Sequence, residues 1–177
     1  RLLNKAIQIK PNHPEVYMNL GMAFHSKNNF KAAIVLFKTA IKIKPNYSEA
    51  YNNLGITFQV DKNLIMAISS YQQAIKLNPN YPEAYNNLGV AFRQQNRIND
   101  AIDSYQQAIK LKPEYPDAHN NLGVSLHQQE KFTDAIASFQ QAIKLRPNYP
   151  EAYNNLANSL QSKGDFHEAI TSFKQSI

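Results

Sequence analysis

Asparagine recurs along this 177-residue chain every 34 positions, at Asn19, Asn53, Asn87, Asn121 and Asn155. A side-chain amide carries both a donor and an acceptor, so it can pair with a peptide group whatever side chain that peptide bears. A second row runs one position ahead of the first, Asn52, Asn86, Asn120 and Asn154, broken only by Met18. Beside them lies a mostly apolar row, Met22, Ile56, Val90 and Val124, which ends at Asn158. Amides and aliphatic groups in register are suited to gripping a polypeptide, not to transforming a substrate.

Other chemistry is thinly represented. The five glycines are too dispersed for a phosphate-cradling loop. Cysteine is absent, which excludes disulfides and thiolate metal sites. His13, His25, His119, His127 and His167 are scattered, and His25 and His127 share one position three units apart, too far to ligate one metal. His119 stands where tyrosine stands in the other units and is expected as a hydrogen-bonded core residue. The acidic residues fall at helix starts or on solvated faces. Asn46-Tyr47-Ser48 matches a glycosylation tripeptide, a pattern that also arises by chance. No catalytic constellation, metal or cofactor is expected.

The elements that position the amides follow from the same period. Tyr-Asn-Asn-Leu-Gly starts at Tyr51 and Tyr85, with variants at Tyr17, His119 and Tyr153. Ala33, Ala67, Ala101, Ala135 and Ala169 keep the interval, as do Phe37, Tyr71, Tyr105, Phe139 and Phe173. Prolines close the units at Pro11, Pro45, Pro79, Pro113 and Pro147. Within a unit, Tyr85, Leu88, Gly89 and Phe92 share one helix face, and Ile98, Ala101, Ile102, Tyr105, Ala108 and Ile109 share another. Pro82, Pro116 and Pro150 suit a first helical turn, and Glu83, Asp117 and Glu151 follow at the positive end of the helix dipole. Lys42, Lys44, Lys110, Lys112, Lys144 and Arg146 end the second helices. Two antiparallel helices per unit follow.

These landmarks resemble the tetratricopeptide repeat over essentially the whole chain. The resemblance implies an all-α, right-handed superhelical solenoid of antiparallel helix pairs. Residues 1–13 read as the second helix of a preceding unit; 14–47, 48–81, 82–115 and 116–149 as full repeats; and 150–177 as a truncated fifth. The chain is then expected to be a piece of a longer array, with uncapped ends able to self-associate. The family usually places glycine between the two helices, whereas this chain has Asn28, Lys62, Asn96, Glu130 and Gly164. Lys62 and Glu130 are expected to be strained there or to force another turn.

In solenoids of this family one side of the first helix lines the concave, ligand-binding groove. The resemblance therefore implies peptide contacts from Asn19, Asn53, Asn87, Asn121 and Asn155, and from Asn52, Asn86, Asn120 and Asn154 nearer the rim. Ile56, Val90 and Val124 would line the same groove or pack between neighbouring first helices, and the alternative for the amides is bonding between adjacent helices or plain solvation. The Asn row is similar to that of the peptide-binding superhelix of O-GlcNAc transferase, which implies recognition tolerant of ligand sequence. The carboxylate clamp of chaperone-binding members wants Lys where Asn52 and Asn86 stand, so an acidic chaperone tail is not the expected ligand.

Lys and Arg number 19 against 13 Asp and Glu, a formal net charge of +6. The basic row has a ready explanation in helix-dipole compensation, so no nucleic-acid partner is expected. Val35, Ile65 and Met66 break an otherwise polar outer face and suggest a contact patch for self-association. No apolar run approaches the roughly 20 residues of a membrane span, no leader pattern opens the chain, and a cytoplasmic setting is expected. The principal expectation is a protein-interaction scaffold. The alternative is the substrate-recognition array of a larger enzyme, such as a glycosyltransferase, with its catalytic domain elsewhere.

Overall fold

The computed structural model describes residues 12–176. The helix expected within residues 1–9 lies outside them. Among the described residues ten helices follow one another: α1 (Pro14–Ser26), α2 (Phe30–Ile43), α3 (Ser48–Val60), α4 (Leu64–Leu77), α5 (Pro82–Gln94), α6 (Ile98–Leu111), α7 (Pro116–Gln128), α8 (Phe132–Leu145), α9 (Pro150–Lys163) and α10 (Phe166–Gln175). The described residues divide into two compact units, 12–91 and 92–176, with the boundary inside α5. In the first, α1 pairs with α2 and α3 with α4, while α2 packs on α3 and α1 touches α3. In the second, α7 pairs with α8 and α9 with α10, while α6 packs on α7, α8 on α9, and α7 touches α9.

The recurring small and aromatic residues make the pairing possible. Ala33, Ala67, Ala101 and Ala135 are wholly buried, and so are Tyr71, Tyr105 and Phe139. In the first unit, a Cβ added at Gly55 would lie 2.6 Å from Cε1 of Tyr71. In the second, one added at Gly123 would lie 2.6 Å from Cε1 of Phe139. Glycine is required at these positions because the ring of the second helix occupies the space of its side chain. Around Phe139 the core of the second unit gathers Ile102, Leu126, Ile136, Leu156 and Leu160.

The turns decide between the two outcomes expected of Lys62 and Glu130. Lys62 (φ 61°) and Glu130 (φ 60°) adopt the same left-handed backbone as Asn28 (φ 58°), Asn96 (φ 60°) and Gly164 (φ 96°). They force no other turn, because hydrogen bonds on either side over-determine the conformation. Asn63 N donates to Phe58 O at 2.8 Å, Lys131 N to Leu126 O at 3.0 Å, and Asp165 N to Leu160 O at 2.9 Å. Each is the six-to-one closure of a Schellman motif. A left-handed non-glycine residue costs about 1–2 kcal/mol, and glycine returns part of that through its larger unfolded-state entropy. Glu130→Gly and Lys62→Gly are therefore each expected to stabilise the fold by about 0.5–1 kcal/mol in urea titrations. A loss of stability would show that the side chains contribute more than the strain.

The basic residues that end the second helices have an aromatic partner as well as the helix dipole. Lys44 Nζ sits 4.5 Å from the Tyr47 ring centroid, Lys112 Nζ 4.8 Å from that of Tyr115, and Arg146 Cζ 4.6 Å from that of Tyr149. These tyrosines are half-buried beneath cations, so not every aromatic residue lies in the core. Arg146 also donates twice to the Asp117 carboxylate, at 2.9 and 3.0 Å, and the Tyr149 hydroxyl donates to it at 3.0 Å. Burial first, and then Asp117, push the Tyr149 phenol up to about 12. This cluster ties the start of α7 to the loop before α9.

Candidate functional site

The two asparagine rows sit in different environments although they are neighbours in sequence. A helix turns by about 100° per residue, and that rotation carries one row into an interface. Asn52, Asn86 and Asn120 are only 5 %, 6 % and 8 % exposed. Asn53, Asn87, Asn121 and Asn155 are half-buried, and Asn19 is exposed. Direct ligand contact from Asn52, Asn86 and Asn120 does not fit this burial. Asn154, on the last of the first helices, is the exposed member of its row.

Two members of the buried row each hold a member of the half-buried one. In the first unit, Asn87 Nδ2 donates to Asn52 Oδ1 at 3.1 Å. In the second, Asn155 Nδ2 donates to Asn120 Oδ1, also at 3.1 Å. Each bond links a first helix to that of the preceding repeat and engages one amide hydrogen. Asn86 and Asn121 are also engaged within the protein. Where Met18 interrupts the buried row, the arrangement changes. Asn53 has no such acceptor, and its Nδ2 turns back along its own helix to Glu49 O at 2.8 Å.

The third row runs from exposed to structural. Met22 is exposed, Ile56, Val90 and Val124 are half-buried, and Asn158 is exposed. Val124 also packs on the core of the second unit. A cavity of about 90 Å³ opens there, lined by Val124, His127, Gln128, Phe139, Asn155 and Asn158. It has Asn155 and Val124 in its wall, together with His127 and Gln128, which were not expected as site residues.

Both shared-position histidines are fixed from the following repeat. His25 Nδ1 lies 3.1 Å from Thr57 Oγ1, and His127 Nδ1 lies 2.8 Å from Ser159 Oγ. Each hydroxyl donates to the carbonyl of a half-buried asparagine, Thr57 to Asn53 O and Ser159 to Asn155 O. It therefore accepts from the imidazole, which places the proton on Nδ1. The rings rest against Phe30 and Phe132, with centroids 5.4 and 5.3 Å apart. The available signal was a hydroxyl residue 32 positions after each histidine. His119, expected in the core, is only half-buried, with Nε2 donating to Pro113 O at 2.9 Å.

Among the described residues no group of three or more His, Cys, Asp or Glu gathers as a metal site, and no helix is long and apolar enough to cross a membrane. On the outer face of the first unit, Val35 and Ile65 are 63 % and 75 % exposed, with Met66 beside Ile65 in sequence and also exposed.

Comparison with known proteins places this geometry in a family. A family model described as TPR repeat matches residues 21–59, 66–93, 91–130 and 125–164, and one described as tetratricopeptide repeat matches residues 152–177. No curated protein sequence matches the chain significantly. Among solved structures, MamA is 30 % identical with a TM-score of 0.81, over 88 % of this chain and 91 % of that one. PilF of Pseudomonas aeruginosa is 24 % identical with a TM-score of 0.84, over 93 % and 76 %. YrrB, described as a TPR protein with an unusual peptide-binding site, is 18 % identical with a TM-score of 0.79, over 100 % and 91 %. The latter two speak for the fold alone. With its 34-residue helix pairs, its glycine-to-ring contacts and family matches spanning nearly all of residues 21–177, the chain belongs to the tetratricopeptide-repeat family.

Proposed function

We propose that this chain is a protein-interaction scaffold that holds an extended polypeptide segment along the face bearing Asn19, Asn53, Asn87, Asn121 and Asn155. The observation that carries the reading is the pinning of Asn87 and Asn155 by the buried asparagines beneath them. Each amide is oriented while remaining half-exposed, which reduces the entropy lost when a ligand binds. Packed helices lie about 8–10 Å apart, and an extended chain advances about 3.3 Å per residue. One amide per repeat therefore meets the guest's backbone about every third residue.

Asn52 and Asn120 enter this reading as braces rather than contacts, Asn86 as a buried member of the same row, and Asn154 as a contact at the edge. Ile56, Val90 and Val124 supply apolar contact. The cavity beside Val124 accepts a small aliphatic side chain. Another family member, YrrB, is described as having a peptide-binding site, and that supports the class of ligand.

The test uses extended peptides selected for binding to the chain. Replacing Asn53, Asn87 and Asn121 together by alanine removes three clasps of about 1 kcal/mol each, so affinity is expected to fall on the order of 100-fold. N-methylation of the peptide at every third amide is expected to have the same effect. Affinity retained in the triple variant would rule out backbone gripping by the row.

A further inference from the structure

One repeat departs from the others at the C-terminal end of its first helix. Three positions meet there in register: the residue occupied by His25 or His127, the ring of the second helix 12 positions later, and a residue of the next first helix 32 positions later. In the first and fourth repeats the ring position holds Phe37 or Phe139, which has no polar atom, and the histidine bonds to the hydroxyl of Thr57 or Ser159. In the second repeat Gln59 accepts from the Tyr71 hydroxyl at 2.7 Å, and the third position is Ala91. Each central residue thus has one polar neighbour, and bonds to it.

In the third repeat the central residue is Arg93, and both neighbours are polar, Tyr105 and Ser125. All three lie in the second unit. Tyr105 and Ser125 are wholly buried. Arg93 Nε, Tyr105 Oη and Ser125 Oγ are the buried side-chain polar atoms without a hydrogen-bond partner among the described residues. Ser125 does not make the bond to the carbonyl four residues back that Thr57 and Ser159 make. Burial pushes the Tyr105 phenol up, while the neighbouring Arg93 opposes the shift. The guanidinium is close enough for a distorted hydrogen-bonding contact with the ring hydroxyl, but no well-formed bond joins them, and the hydroxyl's own proton has no acceptor.

A buried donor without a partner is costly, and a buried cation without a counter-charge more so. Three donors, one of them charged, call for a ligand that only accepts. A water molecule satisfies part of the geometry, but it brings two donors and no charge. A carboxylate brings two acceptor oxygens and the charge that a guanidinium pairs with best. We propose that Arg93, Tyr105 and Ser125 form a binding site for a single carboxylate, which accepts from all three. Arg93 is half-buried and so provides the way in. The carboxylate comes from an Asp or Glu side chain of a held polypeptide, or from a small free acid.

The other repeats supply a control that is expected to fold. Arg93→Gln combined with Ser125→Ala reproduces the Gln59, Tyr71 and Ala91 arrangement, in which the tyrosine is satisfied by the glutamine. The full chain is titrated with sodium acetate at constant ionic strength while the Arg93 Nε–H resonance and the melting temperature are followed. A saturable shift of that resonance with a rise in melting temperature is expected, and no rise in the folded double variant. No response, or the same stabilisation in the double variant, would overturn the proposal and leave the three donors to water.

A second arm rests on the proposed function. Bound peptides carrying Asp or Asn at one scanned position are compared on the wild-type chain and the double variant. A preference of about 10-fold or more for Asp at one position, lost in the double variant, assigns the carboxylate to the guest chain. A response to acetate with no such preference assigns it to a free acid. If the peptides do not bind at all, the proposed function fails, while the acetate titration still decides the site.

Discussion

Gly123→Leu is expected to cost the second unit about 3 kcal/mol or more, at the upper end of what overpacking a close-packed core costs. The leucine Cβ alone would lie 2.6 Å from Cε1 of Phe139 and 2.8 Å from its Cδ1 and Cζ. Phe139 is wholly buried among Leu126, Ile136, Leu156 and Leu160, so the ring can retreat only toward the small cavity that it helps to line, and only by disturbing those contacts. Helix propensity works in the opposite direction, since leucine is favoured over glycine in a helix interior by somewhat under 1 kcal/mol. Sterics win because the contact is with a ring in a packed core, not with the end of a flexible chain. Gly123→Ala is expected to cost less, with the propensity gain offsetting part of the clash. The fifth repeat carries the precedent: Ala157 replaces glycine and is wholly buried, opposite Phe173, which is only half-buried near the end of α10. Urea unfolding followed by the Phe139 side-chain resonances would measure this locally, since repeat arrays need not unfold as one step. A Gly123→Leu chain as stable as the parent would mean that the two helices are not in contact there.

The pairing of helices was legible in the sequence because one geometric requirement, small residue against ring, recurs at each turn of the 34-residue period. Ala33, Tyr71 and Phe139 are buried for the reason that made them conspicuous. The inter-helix turns were legible only as a choice between strain and another turn, because side-chain sterics at Lys62 and Glu130 point one way and the hydrogen-bonded closure around them points the other. The closure depends on backbone groups that every residue type supplies, so composition does not reveal it. The division of labour between the asparagine rows was hidden for a different reason. A helical wheel separates Asn52 from Asn53 by one residue but does not say how closely the next first helix approaches, and that approach buries one and leaves the other half-open. The hydroxyl partners of His25 and His127 lie in the following repeat, so reading each repeat by itself passes over them.

Asn52→Met combined with Asn120→Met is expected to leave the fold nearly as stable as before and to weaken the proposed peptide binding at least about 10-fold. Met18 supplies the precedent, since it occupies the equivalent position in the first repeat and is as buried as Asn52. Beside Met18 the amide of Asn53 turns back to Glu49 O. With methionine at 52 and 120, Asn87 and Asn155 lose the acceptors that hold them, and their amides are expected to swing to Glu83 O and Asn155's counterpart, Glu151 O. Stability changes little, because a methionine is already buried at the equivalent position of the first repeat, its flexible chain adapts to the space, and the half-buried amide finds another acceptor. Binding changes more, because two clasps must be re-oriented before they can meet a guest backbone. Alanine at the same positions would confuse the two effects by leaving cavities, each costing stability in its own right. Amide exchange and side-chain resonances of Asn87 and Asn155 report the swing independently of any ligand. A double variant in which both amides turn back while peptide affinity is unchanged would separate the asparagine row from ligand binding, and the brace would then serve the stacking of first helices alone.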